Sequence, residues 1–200
     1  MSDLASGRYP DTNVEYLLDG QPSSVYRASC SRTAITGAAV SGAATQVPYV
    51  TAVAVEPGDV FNFVSFAIGT LAGTAGNSSF VVVYSAVPTA SAAATVLGVS
   101  ATTTFVAGPN KIALTGQVQV GSNPAVYGVA IVEAWTTTGS QFDGVSGSAS
   151  AFKGVIGSQL VLATKLPTLG GTPPTVGSSS GTTVTAPTAG FLPYVLLSRS

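Results

Sequence analysis

The sequence predicts an all-β protein, an antiparallel two-sheet β-sandwich of jelly-roll-like kind with an extended N-terminal arm. Three observations carry that reading. Apolar residues fill 46% of the 200 positions, whereas Asp, Glu, Lys and Arg fill 8%; about 25% is usual, so a disordered chain and a helical bundle are both excluded. Runs rich in Val, Ile, Phe, Tyr and Thr recur roughly every ten residues, separated by clusters of Gly, Pro, Asn and Ser, the spacing of a sandwich or barrel and not of βαβ units. No fixed-period repeat is present, which sets solenoids and propellers aside.

The first 32 residues hold Asp3, Arg8, Asp11, Glu15, Asp19, Arg27 and Arg32, while the remaining body is nearly uncharged. The chain therefore divides into an anchoring arm, residues 1–32, and a sandwich, residues 33–200. Within the arm, Asn13-Val-Glu-Tyr-Leu-Leu18 reads as a short strand or helical turn that Asp19-Gly20 and Pro22 bring to an end. It either lies on a partner, with Arg8, Tyr9, Tyr16, Leu17 and Leu18 as assembly contacts, or adds a strand to its own sheet.

In the body, Tyr49–Val55 is β-prone and runs into Glu56-Pro-Gly-Asp59, where Pro at the second and Gly at the third position suit a type II turn. Val60–Ile68 follows, with Phe61, Phe63 and Ser65 on one face and Asn62, Val64, Phe66 and Ile68 on the other. After a loop at Gly69–Ser78, Ser79–Ser85 is apolar on both faces and therefore central. Thr95–Val99 and Thr102–Val106 are weaker strands, Gly108-Pro-Asn-Lys111 a turn, and Ile112–Leu114 and Gln117–Val120 two short strands. Ser122-Asn-Pro124 turns the chain into Ala125–Trp135, the clearest strand. Gly139–Ala149 reads as a small-residue loop, Ser158–Lys165 as a strand, Leu169–Thr182 as a flexible Gly/Ser/Pro excursion, and Phe191–Ser198 as the last strand.

Composition also bounds function. A net charge of −1 with pI near 5.1 leaves little to neutralise phosphates, so nucleic acid is not an expected partner. The start has no apolar signal core, and no apolar run approaches the ~20 residues of a membrane span, so synthesis and folding in a cytoplasm are expected. With no His, Ser–His and Cys–His mechanisms are excluded, and the single Cys30 reads as an ordinary thiol. Gly177-Ser-Ser-Ser-Gly181 matches G-x-S-x-G without the strand, helix and His partner that motif needs. Gly69-Thr-Leu-Ala-Gly-Thr-Ala-Gly76 lacks the Lys of a phosphate loop, and Asn77-Ser-Ser79 is a polar loop.

Glu56 and Asp59 flank a turn as solvated acids do, and Glu133 with Asp143 is too sparse a pair for glycan hydrolysis or calcium. No catalytic residue, cofactor or metal is expected. Trp135, Phe142 and Asp143, with Tyr127 nearby, form a candidate glycan-facing rim, against the plainer reading that these rings fill core or subunit contacts. A chain with so few charges has little protection against self-association, which favours a component of a larger particle.

The run Val55-Glu-Pro-Gly-Asp-Val-Phe-Asn-Phe-Val-Ser-Phe-Ala-Ile-Gly-Thr70, with Phe80-Val-Val-Val-Tyr-Ser-Ala86 and Gly121-Ser-Asn-Pro-Ala-Val-Tyr-Gly-Val-Ala-Ile-Val132, resembles the β-sandwich domain of actinobacteriophage virion proteins. Pro124, Tyr127 and Gly128 match its pattern, as does the final Thr188-Ala-Gly-Phe-Leu-Pro-Tyr194, so the likeness spans about residues 29–200. The resemblance implies a non-enzymatic head decoration, fibre or minor tail protein. It further implies an outward-facing homo-oligomer, a trimer by preference, in contact with capsid or tail proteins at the virion surface. The chain has no collagen-like or coiled-coil shaft, so a compact host-attachment or decoration subunit is expected over a long fibre. The rival expectation is a carbohydrate-binding or adhesin module for host cell-surface glycans.

Overall fold

A computed structural model describes residues 26–29, 36–37, 48–70, 78–89, 91–135, 139–146, 163–165, 169, 171–181 and 191–200. These residues contain twelve strands: β1 (Tyr26–Ala28), β2 (Thr36–Gly37), β3 (Tyr49–Val55), β4 (Val60–Thr70), β5 (Phe80–Tyr84), β6 (Val96–Val99), β7 (Gly108–Gln119), β8 (Ala125–Val132), β9 (Gln141–Ser146), β10 (Ala163–Lys165), β11 (Phe191–Pro193) and β12 (Leu196–Ser198). They form two antiparallel sheets. One has the order β1-β12-β4-β9-β11, with β2 added on β9 and β7 on β4; the other runs β10-β3-β8-β5-β6. The sheets pack together as an all-β sandwich.

The near-continuous apolar character of β5 and β8 follows from what lies on each side of their sheet. Alternate residues of a strand point to opposite faces. Val81 and Val83 of β5, and Tyr127, Val129 and Ile131 of β8, enter the core between the sheets with Val53, Phe61, Val64, Phe66, Ile68 and Leu197. Their neighbours Phe80, Val82, Tyr84, Ala130 and Val132 enter a second cluster on the far face, with Val50, Ala94 and Val96, against which Val87 and Leu169 pack. Both faces are dry, so both parities are apolar.

The expected type II turn is present at Glu56–Asp59: Gly58 has φ +81° and the Asp59 N–H donates to the Glu56 carbonyl at 3.1 Å. Elsewhere the structure redraws the elements. Gly108–Lys111 is not a turn but the start of β7, with Gly108 opposite Ile68 and Pro109 opposite Ala67. The turn chemistry lies just ahead of it, where the Asn110 side chain accepts from the Val106 N–H and donates to the Val106 and Gly108 carbonyls. The two short strands expected after it are one strand of 12 residues.

The β4–β7 register shifts between Phe61 and Phe63, and the irregularity brings Phe61 into the core with Val64, Phe66 and Ile68, reversing the face expected from strict alternation. Among the described residues Thr102–Val106 pairs through the single bridge Ser79–Thr103, and Phe105 plugs the core edge-on to Phe66, centroids 4.9 Å apart. The small-residue loop after Gly139 contains β9. The last strand is two: β11 pairs with β9, and β12 with β4 and β1.

Residues 171–181 are not a free excursion. The Val96 and Ala94 backbones bond to Ser178, Gly177 and Ser180, which lays this stretch alongside residues 94–96. Finally, β1 falls within residues 1–32, so the last part of that segment is a strand of the sandwich.

Candidate functional site

Two side-chain constellations stand out among the described residues. The first closes the connection from β8 to β9. Glu133 leaves the end of β8 and is buried, with 7% of its surface exposed. Its Oε2 accepts the Ser140 N–H at 2.9 Å, and its Oε1 accepts the Ser140 hydroxyl. Next to it, the Ala134 N–H donates to the Ser79 hydroxyl at 2.9 Å. Burial pushes the Glu133 carboxyl above the ordinary value, and the two Ser140 bonds pull against that. Both carboxyl oxygens are thus engaged by one residue across the connection, which suits a tie and leaves the group poorly placed to relay protons to a second acid.

The candidate rim does not assemble as a unit. Phe142 is 7% exposed and belongs to the core, its ring 5.8 Å from that of Phe66. This corrects its placement on a rim: Ile68 lies opposite it across β4–β9, and a residue opposite an inward Ile points inward. Tyr127 is also core, and desolvation raises its phenol. Trp135 is half-buried, its indole against Gly139, where a methyl group would come 3.0 Å from Nε1. Asp143 is half-exposed beside Gly69, and its carbonyl accepts the Tyr194 N–H at 2.8 Å. Only Trp135 and Asp143 retain surface there.

The second constellation fastens β1. The Arg27 guanidinium donates through Nε to Asp59 Oδ2 at 2.6 Å and through Nη2 to Asp59 Oδ1 at 3.1 Å, with a further bond from Nη2 to Glu56 Oε2 at 2.7 Å. Asp59 Oδ2 also accepts the Glu56 N–H at 2.9 Å. Asp59 is 8% exposed, so it is not the solvated turn acid that its position suggests. Burial lowers the Arg27 pKa, but bonds and charge from Asp59 and Glu56 outweigh it and leave the guanidinium above its ordinary value. The fork geometry and shared burial make this a strong polar contact between the N-terminal strand and the body. No sequence signal pairs residues 29 and 32 positions apart, which is why the cluster is invisible until folded.

The G-x-S-x-G string is occupied by turn bonds. Ser178 donates to the Thr175 carbonyl, Ser179 accepts the Gly181 N–H, and Ser180 accepts the Ala94 N–H. The turns at Gly58 and Gly121 flank an open depression lined by Pro57, Gly58, Gln119, Val120, Gly121 and Ser122, with no charged side chain. Among the described residues no three of His, Cys, Asp and Glu gather as a metal site, and no helix is long and apolar enough to cross a membrane. Arg8, Tyr9, Tyr16, Leu17, Leu18 and Cys30 lie outside the described residues. Comparison of the chain with protein-family models and with curated proteins gives no match.

Proposed function

We propose that the chain is a non-enzymatic bacteriophage virion structural protein, a surface-displayed head decoration or minor tail subunit that assembles by protein–protein contacts. It is made in the host cytoplasm and resides at the virion surface, as a homo-oligomer for which a trimer is favoured. The observation that supports this best is the clamp on β1. A fork of Arg27 bonds and the β12 pairing hold the strand into which residues 1–25 lead, so a pull on that segment is delivered to the sheet. The engagement of Glu133 by Ser140 and of Asp59 by Arg27 supports a fitting role over a reacting one.

The test is incorporation into particles of a chain lacking residues 1–24, a cut that spares β1 and Arg27. The expected outcome is a folded subunit that fails to join the particle. Full incorporation would overturn attachment through this segment. The partial exposure of Trp135 and Asp143 supports a second reading, a module for host surface glycans. Specific binding on a glycan array that disappears in Trp135→Ala would favour it.

A further inference from the structure

Strand β6 ends the order β10-β3-β8-β5-β6, so one of its edges meets β5 and the other faces away from the sheet. Backbone polar groups of an antiparallel strand alternate between its two edges. Thr95, just ahead of β6, turns its groups to the β5 side: its N–H donates to the Ser85 hydroxyl at 3.0 Å and its carbonyl accepts the Ser85 N–H at 2.8 Å. Ala94 and Val96 turn theirs outward, where the string Gly177-Ser-Ser-Ser-Gly181 meets all four. The Val96 N–H donates to the Ser178 carbonyl at 2.9 Å, and the Val96 carbonyl accepts the Gly177 N–H at 2.8 Å. The Ala94 carbonyl accepts the Ser180 N–H at 2.8 Å, and the Ala94 N–H donates to the Ser180 hydroxyl at 2.9 Å.

A tight turn shapes this stretch. Gly177 has φ +87°, as the third residue of a type II turn requires, and the Ser178 N–H donates to the Thr175 carbonyl at 3.0 Å. Thr175, Val176, Gly177, Ser179 and Gly181 are exposed, so hydrogen bonds hold the stretch and apolar burial does not. The edge beneath it has no protection of its own. Edge strands are commonly kept from pairing by a charge or a proline. Strand β7, whose one strand neighbour among the described residues is β4, has both in Pro109 and Lys111. By contrast, residues 60–110 hold no charge and residues 94–100 no proline. Thr95-Val-Leu-Gly-Val99 is thus an uncharged, β-prone segment of the kind that pairs with copies of itself.

We propose that residues 177–181 are a clip that withholds the β6 edge from a second copy of this chain. The surface under the clip fits β6 of that copy, laid antiparallel, because each copy then offers the other the N–H and C=O groups of Ala94 and Val96. The bridge between Thr95 and Ser179 is itself antiparallel, so the clip occupies the place such a strand would take. Further along, the Val99 carbonyl accepts the Thr115 hydroxyl at 2.9 Å and Ser100 bridges Leu114. There β7 shuts the edge, and the clip is the part that can lift without parting the two sheets. The inference does not rest on the virion reading, because it concerns one edge of the free subunit.

The test compares the full chain with a variant carrying Gly177→Val and Ser180→Pro, which strains the turn and removes both groups that hold Ala94. Hydrogen exchange at the Ala94 and Val96 amides and the sedimentation mass are followed against concentration. In dilute solution the variant's amides are expected to exchange about 100-fold faster than those of the unaltered chain. On concentration they become protected again, and the mass doubles relative to the unaltered chain. Adding Thr95→Lys, at an exposed position, is expected to keep the amides fast and the mass undoubled at every concentration, because like charges then meet across the new ladder. Ser180→Ala removes one acceptor and leaves the backbone alone; it is expected to speed the Ala94 amide about tenfold and to shift association the same way, which guards against a double variant that misfolds. Amides that stay protected at every dilution, a mass that fails to rise once they are open, or association that persists with Thr95→Lys would each overturn the proposal.

Discussion

At the scale of single residues, burial separates groups that a sequence cannot. Glu133 and Asp143 look alike along the chain, yet only Glu133 is enclosed, and its carboxyl is held above 4.5 by desolvation. An acid with a raised folded-state pKa binds more protons folded than unfolded through that window, so stability falls as pH rises from about 4.5 through the raised value. Glu133→Gln, which keeps an oxygen for the Ser140 N–H, is expected to flatten that stretch of a melting-temperature against pH profile. A steeper fall in the variant would refute this. Thr51 offers the opposite case: it is fully buried opposite Val129, and its hydroxyl has no partner. Thr51→Val is expected to stabilise the fold by about 1 kcal/mol in urea titration, by removing an unpaid desolvation cost. Phe142 was legible as an aromatic of this region but not as core, because its direction depends on its partner Ile68 and not on its neighbours in sequence.

At the scale of elements, the Arg27 clamp couples β1 to the β3–β4 turn. Arg27→Ala leaves the Asp59 carboxylate enclosed without its cation and is expected to cost about 3 kcal/mol in chemical denaturation. Arg27→Lys should restore only part of this, since an ammonium cannot reproduce the two-bond fork to Asp59. The strand β8 carries Gly128 where a Cβ would come 2.6 Å from the Ala86 carbonyl oxygen and 2.7 Å from Val50 Cγ1. Gly128→Ala is therefore expected to lower stability by about 1–3 kcal/mol, read from the same titration, since backbone must move to admit a methyl group.

Strands β3, β4, β5 and β8 were readable from β-branched and aromatic runs, and the Pro57-Gly58 turn from its dihedral requirement. Strand β7 reads as a turn and two short strands in the sequence, because Gly108, Pro109 and Asn110 carry turn propensities that pairing with Ile68, Ala67 and Phe66 overrides. Strand β9 reads as a loop for a related reason: its Gly144 and Ser146 are small, and its partners β2, β4 and β11 come from distant parts of the chain.

At the scale of the molecule, the sandwich was legible because composition and strand spacing are properties of the whole chain. The partition of strands between sheets was not, since it depends on pairings such as β1 with β12 that join its two extremes. The two sheets also meet at a corner, where Ser100 bridges Leu114 and the Thr115 hydroxyl donates to the Val99 carbonyl. With the shared core, this seam predicts one cooperative unfolding transition, with Trp135 fluorescence and far-ultraviolet circular dichroism changing together; separate midpoints would show independent sheets. The antiparallel register of β1 and β12 has a mechanical corollary. Tyr26 sits opposite Ser198, so the chain leaves both strands at the same end. Tension applied between the two exits would peel that ladder open one rung after another instead of shearing all its bonds at once, and a load entering through the Gly121 turn would bypass this zipper.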